Sequence, residues 1–125
     1  MIALDASALL AYLFKEVGHT QIDEYIDECC LSTVNLSEVI GRFARDGHDS
    51  QKVLKRILST NIEVVSFTAA QAALAASLLP PTKPFGLSLA DRACLSLALD
   101  RDIPVVTADQ VWHQTNFGLQ IIVIR

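Results

Sequence analysis

The sequence has few charged residues and no excess of basic ones. Charged residues make up 19% of its 125 positions, against roughly 25% in an average domain. The 14 Asp and Glu outnumber the 10 Lys and Arg, which gives a formal net charge of −4. A simple basic nucleic-acid binder is therefore not expected, because its electrostatic footprint would show in the total. A protein that handles phosphates through bound cations is compatible with this charge.

Cysteine and histidine are scarce and lack the spacing of a metal site. No two cysteines form a CxxC pair, so neither a zinc site nor a disulfide framework is expected. The histidines are scattered, and we interpret them as surface or core residues. The cysteines are Cys29, Cys30 and Cys94, and the histidines are His19, His48 and His113.

The sequence also lacks the apolar segments of leaders and membrane spans. The opening MIALDASALLAYLFK has no basic region ahead of its apolar residues and carries Asp5, unlike a signal peptide. No apolar run approaches the roughly 18 residues of a membrane-spanning helix. We therefore expect a soluble cytoplasmic protein in a reducing compartment, with no membrane partner.

Apolar residues are abundant, at 51% of the chain, and form short runs that alternate with helical patterns. Strands are predicted at 2–4, 31–34, 62–65, 103–106 and 120–124, and helices at 7–17, 19–28, 36–45, 50–58, 68–79 and 88–100. The segment PPTKPFG is predicted to be a loop. This order predicts an α/β fold in a single domain over 1–125, with a central, mostly parallel sheet of four to five strands flanked by helices.

One helix carries an acid on its apolar face. In LSLADRACLSLA, Asp91 falls on the same face as Leu87 and Leu95. A lone charge among apolar residues is costly, so its position needs a reason. The simplest reason is a capping box, in which Ser88 is the N-cap and Asp91 the acid three residues later.

Four acids lie close to predicted strand ends or helix starts. Asp5 follows the first strand in IALDAS, and Glu38 lies just after the second in TVNLSEVI. Asp91 opens the helix described above, and Asp109 follows the fourth strand in VVTADQVW. Because parallel strands end on one rim, where such folds bind ligands, we expect these four side chains to converge.

Helix capping also explains each of these acids taken singly, and at this stage both interpretations stay open. The capping candidates are Asp5 or Ser7 for the first helix, Asn35 with Glu38 for the third, and Thr107 or Asp109 for the segment that starts near residue 110.

Taken together, the acids favour a metal site. Carboxylates crowded at one rim oppose each other's ionisation, and a divalent cation removes that penalty. An all-oxygen donor set suits Mg²⁺ or Mn²⁺ rather than zinc. Such ions can activate a water for phosphodiester cleavage, with Ser7 and Thr107 available to hydrogen-bond the ligands or the substrate.

At these residues the sequence resembles the PIN domain family, and more narrowly its VapC-type toxin ribonucleases. The resemblance covers essentially the whole chain, and its carriers are LDASALLAYL, STVNLSEVI, GLSLADRACLSLA and VVTADQVW. There are departures: Ala90 stands where many relatives carry Gly, Gln110 where many carry Arg, and no further acid follows shortly after Asp109.

The resemblance implies an activity and partners. It assigns Asp5, Glu38, Asp91 and Asp109 to the family's catalytic, metal-binding quartet. The implied activity is Mg²⁺- or Mn²⁺-dependent endonucleolytic cleavage of RNA. The implied partners are an RNA substrate, a VapB-like antitoxin that wraps the toxin and blocks its site, and a second copy in a homodimer.

A basic segment is the candidate for RNA contact. Residues 42–56 hold five basic residues against two acidic ones. These basic side chains can guide a phosphate backbone or form a solvated helical face. The bases are Arg42, Arg45, Lys52, Lys55 and Arg56. Trp112 and Phe117 can stack on bases, but we expect both to pack in the core.

A catalytically silent PIN-like module that binds RNA or protein is the alternative function. In that case the acids only cap helices or meet a partner's arginines.

Overall fold

Five short strands form the sheet that positions the candidate site. They are β1 (Ile2–Leu4), β2 (Cys29–Ser32), β3 (Glu63–Val65), β4 (Val105–Thr107) and β5 (Ile121–Val123). In the computed structural model, which describes residues 1–115 and 117–125, the sheet order is β3-β2-β1-β4-β5. All neighbouring strands pair in parallel. The predicted α/β fold with a central parallel sheet is confirmed.

Helices cover both faces of this sheet. They are α1 (Ala6–Leu13), α2 (His19–Ile22), α3 (Thr33–Arg45), α4 (Ser50–Leu58), α5 (Ala69–Ser77), α6 (Leu79–Thr82) and α7 (Leu89–Arg101). Short 3-10 turns occupy Lys83–Phe85 and Gln110–Gln114.

The core lies in two layers because side chains alternate along each strand. Ile2 and Leu4 of β1 belong to the layer that includes α1 and α3, whereas Ala3 belongs to the layer that includes α7. On β4, Val106 and Val105 divide in the same way. Both faces of the central strands are therefore buried, as is typical of a parallel sheet between helices.

The start of α3 differs from the prediction, with consequences for the site. The strand predicted at 31–34 lies at Cys29–Ser32, and α3 begins at Thr33 rather than near residue 36. Ser32 is the N-cap, since its side chain accepts a hydrogen bond from the Val34 amide. Asn35 therefore lies inside the helix.

Helix α2 is shorter than predicted. Residues 19–28 were expected to be helical, but α2 ends at Ile22 and turns follow. A continuous helix would place Asp23 beside Asp27 and Glu24 beside Glu28, and like charges four residues apart destabilise a helix.

Helix α1 also ends early. It stops at Leu13, and Lys15 adopts a positive φ of 54°, which a helix cannot continue through.

The segment PPTKPFG is helical, and its prediction as a loop was wrong. Pro80 and Pro84 each lie in the first turn of a short helix, where the amide that proline lacks needs no partner. Between them the Thr82 hydroxyl donates to the Leu78 carbonyl at 2.7 Å and helps close the turn.

All three cysteines are buried and free. Across residues 1–115 and 117–125, no helix has both the length and the apolar character needed to cross a membrane.

Candidate active site

Asp5 lies where β1 ends and α1 begins, and it caps that helix. Its Oδ1 accepts a 2.8 Å hydrogen bond from the Ala8 amide, so of the two capping candidates Asp5 rather than Ser7 is the N-cap. The residue is only 3% exposed. The local sequence explains the position: a buried strand leads directly into a helix that needs a side-chain acceptor at its first free amides.

Two hydroxyls hold the Asp5 carboxylate from the sides. Thr107 donates to Oδ2 at 2.6 Å, and the Ser7 hydroxyl lies 2.8 and 2.9 Å from the two carboxylate oxygens. Each hydroxyl also accepts from the backbone, Ser7 from the Ala108 amide at 2.9 Å and Thr107 from the Asp109 amide at 3.0 Å. This network fixes the ends of β1 and β4 against each other.

Burial raises the pKa of Asp5 from its ordinary value of 3.8 to about 6. The hydrogen bonds from Thr107, the Ala8 amide and Ser7 lower the pKa but do not offset the loss of water. The negative charge of Asp91 raises it further.

Asp91 has two roles at the start of α7. Its Oδ2 accepts from the Ser88 amide at 2.8 Å, and its own amide donates to the Ser88 hydroxyl at 3.2 Å. The predicted capping box is confirmed. The charge of Asp91 also raises the pKa of Asp5 and of Glu38, so Asp91 lies within electrostatic range of both carboxylates.

Glu38 reaches the same rim from α3. Partial burial raises its pKa, a hydrogen bond from Asn35 lowers it, and the charge of Asp91 raises it. The capping box expected from Asn35 and Glu38 was wrong, because Ser32 caps α3. Instead, the Asn35 Nδ2 donates to the Glu38 Oε1 at 3.0 Å within the helix.

Asp109 lies two residues after β4 and caps the next helical turn. It is exposed, and its Oδ1 accepts from the Val111 amide at 3.1 Å, so Asp109 rather than Thr107 caps the 3-10 turn. Its backbone amide donates to Thr107, which links it to Asp5 through one intervening hydroxyl.

The donor chemistry fits a hard divalent cation. Asp5, Glu38 and Asp91 come from three different elements, and Asp91 disfavours ionisation of the other two. A cation held among them would remove that repulsion, and carboxylate oxygens are the ligands that Mg²⁺ and Mn²⁺ prefer. Within the described part of the chain, no three His, Cys, Asp or Glu side chains are gathered closely enough to hold a metal ion.

The buried Cys94 thiol on α7 lies within electrostatic range of these acids. Burial and the charges of Asp5, Asp91 and Glu38 raise its pKa well above the usual value, so it is a neutral, inert thiol.

The sequence pattern predicted only a capping role for Asn35, whereas its side chain bonds Glu38 within the helix. The available signal was a polar residue three positions before an acid, on a helix flanked by apolar residues.

The five basic residues of α3 and α4 have different surroundings: two are paired with Asp46, two line an apolar groove and one is exposed to solvent. The Nε atoms of Arg42 and Arg45 lie 3.8 and 3.3 Å from Asp46 carboxylate oxygens. Lys52 and Arg56 line the groove, and Lys55 is exposed outside its lining. Contact of these five residues with RNA stays a prediction.

This apolar groove has a volume of about 360 Å³ and lies between α1, α3 and α4. Its lining is Leu13, Phe43, His48, Asp49, Lys52, Val53, Arg56 and Ile57. Phe14 stacks on Phe43 beside it, with ring centres 5.1 Å apart.

The two aromatic residues considered for base stacking pack in the core, as expected. Trp112 is completely buried, and Phe117 packs against the same layer.

Comparison with protein families gives one clear match. The family model described as PIN domain matches residues 2–118. No curated protein matches the sequence.

Solved structures share the fold at low sequence identity. VapBC2 from Rickettsia felis, bound to a promoter DNA fragment, has a TM-score of 0.72 at 18% identity, covering 97% of both chains. FitAcB from Neisseria gonorrhoeae has a TM-score of 0.73 at 18% identity, covering 98% of this chain and 96% of that one. Mycobacterium tuberculosis VapC20, described as a sarcin–ricin loop cleaving toxin, has a TM-score of 0.71 at 17% identity, covering 96% and 99%.

Proposed function

This chain belongs to the PIN domain family, and we propose that it is a metal-dependent endoribonuclease of the VapC type, the toxin of a toxin–antitoxin pair. The observation that carries the proposal is the position of Asp91 near both Asp5 and Glu38, where its charge disfavours ionisation of each. Asn35 links Glu38 to the Ala90 carbonyl next to Asp91. A fold without need of a cation would gain stability by separating these charges. The similarity to VapC20, a toxin described as cleaving the sarcin–ricin loop, supports RNA as the substrate.

Asp5, Glu38 and Asp91 would hold Mg²⁺ or Mn²⁺, with Asp109 at the same rim as the fourth member. The bound ion would supply an activated water and stabilise the charge that develops on the cleaved phosphodiester. Ser7 and Thr107 orient the Asp5 carboxylate, since each hydroxyl is itself fixed by a backbone amide. These bonds hold Asp5 in one orientation.

The first test is the thermal stability of the purified protein with and without Mn²⁺. Mn²⁺ should raise the Tm of the wild type, because a ligand that binds only the folded state stabilises it. Asp5→Asn should lose this response, although asparagine caps a helix about as well as aspartate. Asp49→Asn is the matched control, since Asp49 caps α4 through the Gln51 and Lys52 amides and lies outside the site.

A catalytically silent PIN-like module is the second candidate. It is favoured by the observation that Asp5, Asp91 and Asp109 each accept backbone hydrogen bonds at a helix start. This alternative predicts that Mn²⁺ changes the Tm of none of the three proteins, a result that would contradict the metal-dependent enzyme.

We further propose that the apolar groove binds an acidic, amphipathic segment of a VapB-like antitoxin. Antitoxin complexes are among the similar structures, including VapBC2 from R. felis. The groove lining combines the apolar Leu13, Phe43, Val53 and Ile57 with two basic residues, Lys52 and Arg56, and one acid, Asp49. An apolar helix face with acidic flanks complements both features.

A homodimer is also proposed. Large apolar side chains are exposed at Leu58, Leu79 and Leu89, and burial against a second copy would remove them from water. Light scattering of the purified protein should give twice the 13.6 kDa mass of one chain. A monomer at micromolar concentration would contradict this proposal.

A further inference from the structure

Asn35 joins two elements of the candidate site through one nitrogen. It lies on α3, one turn before Glu38, and is 1% exposed. Its Nδ2 donates to the Glu38 Oε1 at 3.0 Å and to the Ala90 carbonyl at 3.0 Å. Ala90 immediately precedes Asp91 in the first turn of α7, so the amide ties Glu38 to the backbone that carries Asp91.

The orientation of the Asn35 amide follows from its partners. Both partners of Nδ2 are acceptors only, so a flipped amide would place Oδ1 against two oxygens and leave Nδ2 without a partner. In the orientation observed, Oδ1 is buried and has no hydrogen-bond partner in the described residues.

This unpaired oxygen is informative about the role of the residue. Burial of an unpaired carbonyl costs free energy, and an apolar side chain of similar size would avoid that cost. The two hydrogen bonds from Nδ2 must therefore matter, and one of them ends on a candidate metal ligand.

We propose that Asn35 is a positioning residue, which holds the Glu38 carboxylate against the start of α7 so that Glu38 and Asp91 face one cation. The inference rests on the proposed metal-dependent function. Without the amide, the Glu38 side chain on the exposed face of α3 would sample several rotamers, and binding of the ion would have to select one of them. The outer partners of metal ligands act in this way, by fixing the orientation of the ligand.

The chain offers a matched control in Gln71 on α5. Gln71 is also a buried amide, at 3% exposure, its Nε2 donates to the Asp100 carboxylate at 3.3 Å, and its Oε1 is likewise without a partner in the described residues. It contacts the far end of α7 rather than the candidate site. Gln71→Leu therefore reproduces the change in buried polarity without touching Glu38.

The experiment is a calorimetric titration of Mn²⁺ alone into the wild type, Asn35→Leu and Gln71→Leu. We expect Asn35→Leu to weaken Mn²⁺ binding by about tenfold or more, the usual effect of removing an outer partner. Gln71→Leu should bind Mn²⁺ like the wild type. Should leucine not fit at position 35, Asn35→Ala is smaller than asparagine and serves for the same comparison.

The outcomes separate the two proposals. If the wild type and both Asn35 variants bind Mn²⁺ equally well, the positioning role is wrong and the metal-dependent function stands. If Gln71→Leu weakens binding as much as Asn35→Leu, the effect is one of general stability and the positioning role is again wrong. If the wild type does not bind Mn²⁺, the proposed function fails, and the role of Asn35 fails with it.

Discussion

The Thr107 hydroxyl donates a 2.6 Å hydrogen bond to the Asp5 carboxylate across 102 positions of sequence. Thr107 ends β4 and Asp5 directly follows β1, and the two strands are parallel neighbours. The bond therefore joins the fold and the candidate site: it closes the rim of the sheet and compensates part of the cost of burying a carboxylate.

Replacement of the Thr107 hydroxyl should lower the free energy of unfolding by an amount that depends on pH. In Thr107→Val the ionised Asp5 carboxylate loses a donor, so at pH 8 we expect a loss of about 1.5–3 kcal/mol in the free energy of unfolding. At pH 5, where the pKa of Asp5 (about 6 in the wild type) favours the neutral acid, the loss should be smaller. Urea unfolding in EDTA at both pH values measures the difference.

Thr82→Val is the matched control for that experiment. Thr82 is also completely buried, but its hydroxyl donates to the neutral carbonyl of Leu78. Thr82→Val should therefore lower the free energy of unfolding by the same amount at pH 5 and pH 8. Equal losses at the two pH values in Thr107→Val would contradict the assignment.

The raised pKa of Asp5 predicts how Asp5→Asn changes stability with pH. The folded state binds a proton below pH about 6, whereas the unfolded chain binds it only near 3.8. The free energy of unfolding of the wild type therefore falls, through this group, as the pH rises from about 4 to about 6. Asparagine does not titrate, so the stability of Asp5→Asn relative to the wild type should rise by about 2 kcal/mol between pH 4.5 and 7.5. Denaturant unfolding in EDTA tests this, and a constant difference across that range would show that burial does not perturb Asp5.

Loss of the Asp91 or Glu38 carboxylate should strongly lower activity without unfolding the protein. In Asp91→Asn the side-chain oxygen can still accept from the Ser88 amide, so the capping box is retained. Under the proposed function, Asp91→Asn and Glu38→Gln should each lower RNA cleavage by about a hundredfold or more, because each removes a ligand of the ion that stabilises the transition state. The readout is growth arrest on expression without antitoxin, with Asp49→Asn as the active control. Full toxicity of both variants would refute the assignment of these two acids.

A side chain at Gly18 should destabilise the protein more than one at Gly47, because only Gly18 lies against another segment of the chain. Its φ is +92°, and a Cβ there would overlap the backbone carbonyl of Ile124. Gly47 has a similar φ of +89°, but a Cβ would have no neighbour within 4 Å. Gly47→Ala should lower the free energy of unfolding by about 1–2 kcal/mol, because of the positive φ alone. Gly18→Ala should lower it by about 1–3 kcal/mol more, because the added methyl group also overlaps Ile124. Thermal unfolding compares the two variants, and equal Tm values would mean that the C-terminal segment does not pack against Gly18.

The basic residues of the apolar groove should determine which peptides bind there. A labelled peptide with leucines three and four residues apart and glutamates on its other face should bind the wild type, and increasing salt should weaken the complex. Lys52→Glu, which reverses a charge in the groove lining, should weaken binding by about tenfold, equivalent to 1.4 kcal/mol. Lys55→Glu is the control, since Lys55 belongs to the same helix but not to the groove lining. Fluorescence anisotropy distinguishes a bound peptide from a free one, and equal effects of the two reversals would indicate general attraction only.

Much of the architecture could be predicted from short-range sequence patterns. Alternation of apolar strands with helices predicted the parallel α/β sheet, and Ser88 with Asp91 predicted the capping box at the start of α7. The predictions were wrong where a second local effect opposed the one on which they relied. PPTKPFG forms helical turns because proline is compatible with a first turn, and α2 stops early because acids four residues apart repel one another.

Near neighbours along the chain suffice to identify the acids, the strands they follow and the hydroxyls beside them, because capping and strand patterns are local. Which of these groups interact depends on the packing of distant segments. This packing buries Asp5 in a hydrogen bond with Thr107 and brings Asp91 near Glu38. It also leaves Asp109 as the cap of its own helical turn and lets Asn35 link α3 to α7. These relations depend on the order of strands in the sheet and on the start of α3. The packing of distant segments sets both, and no local pattern encodes it.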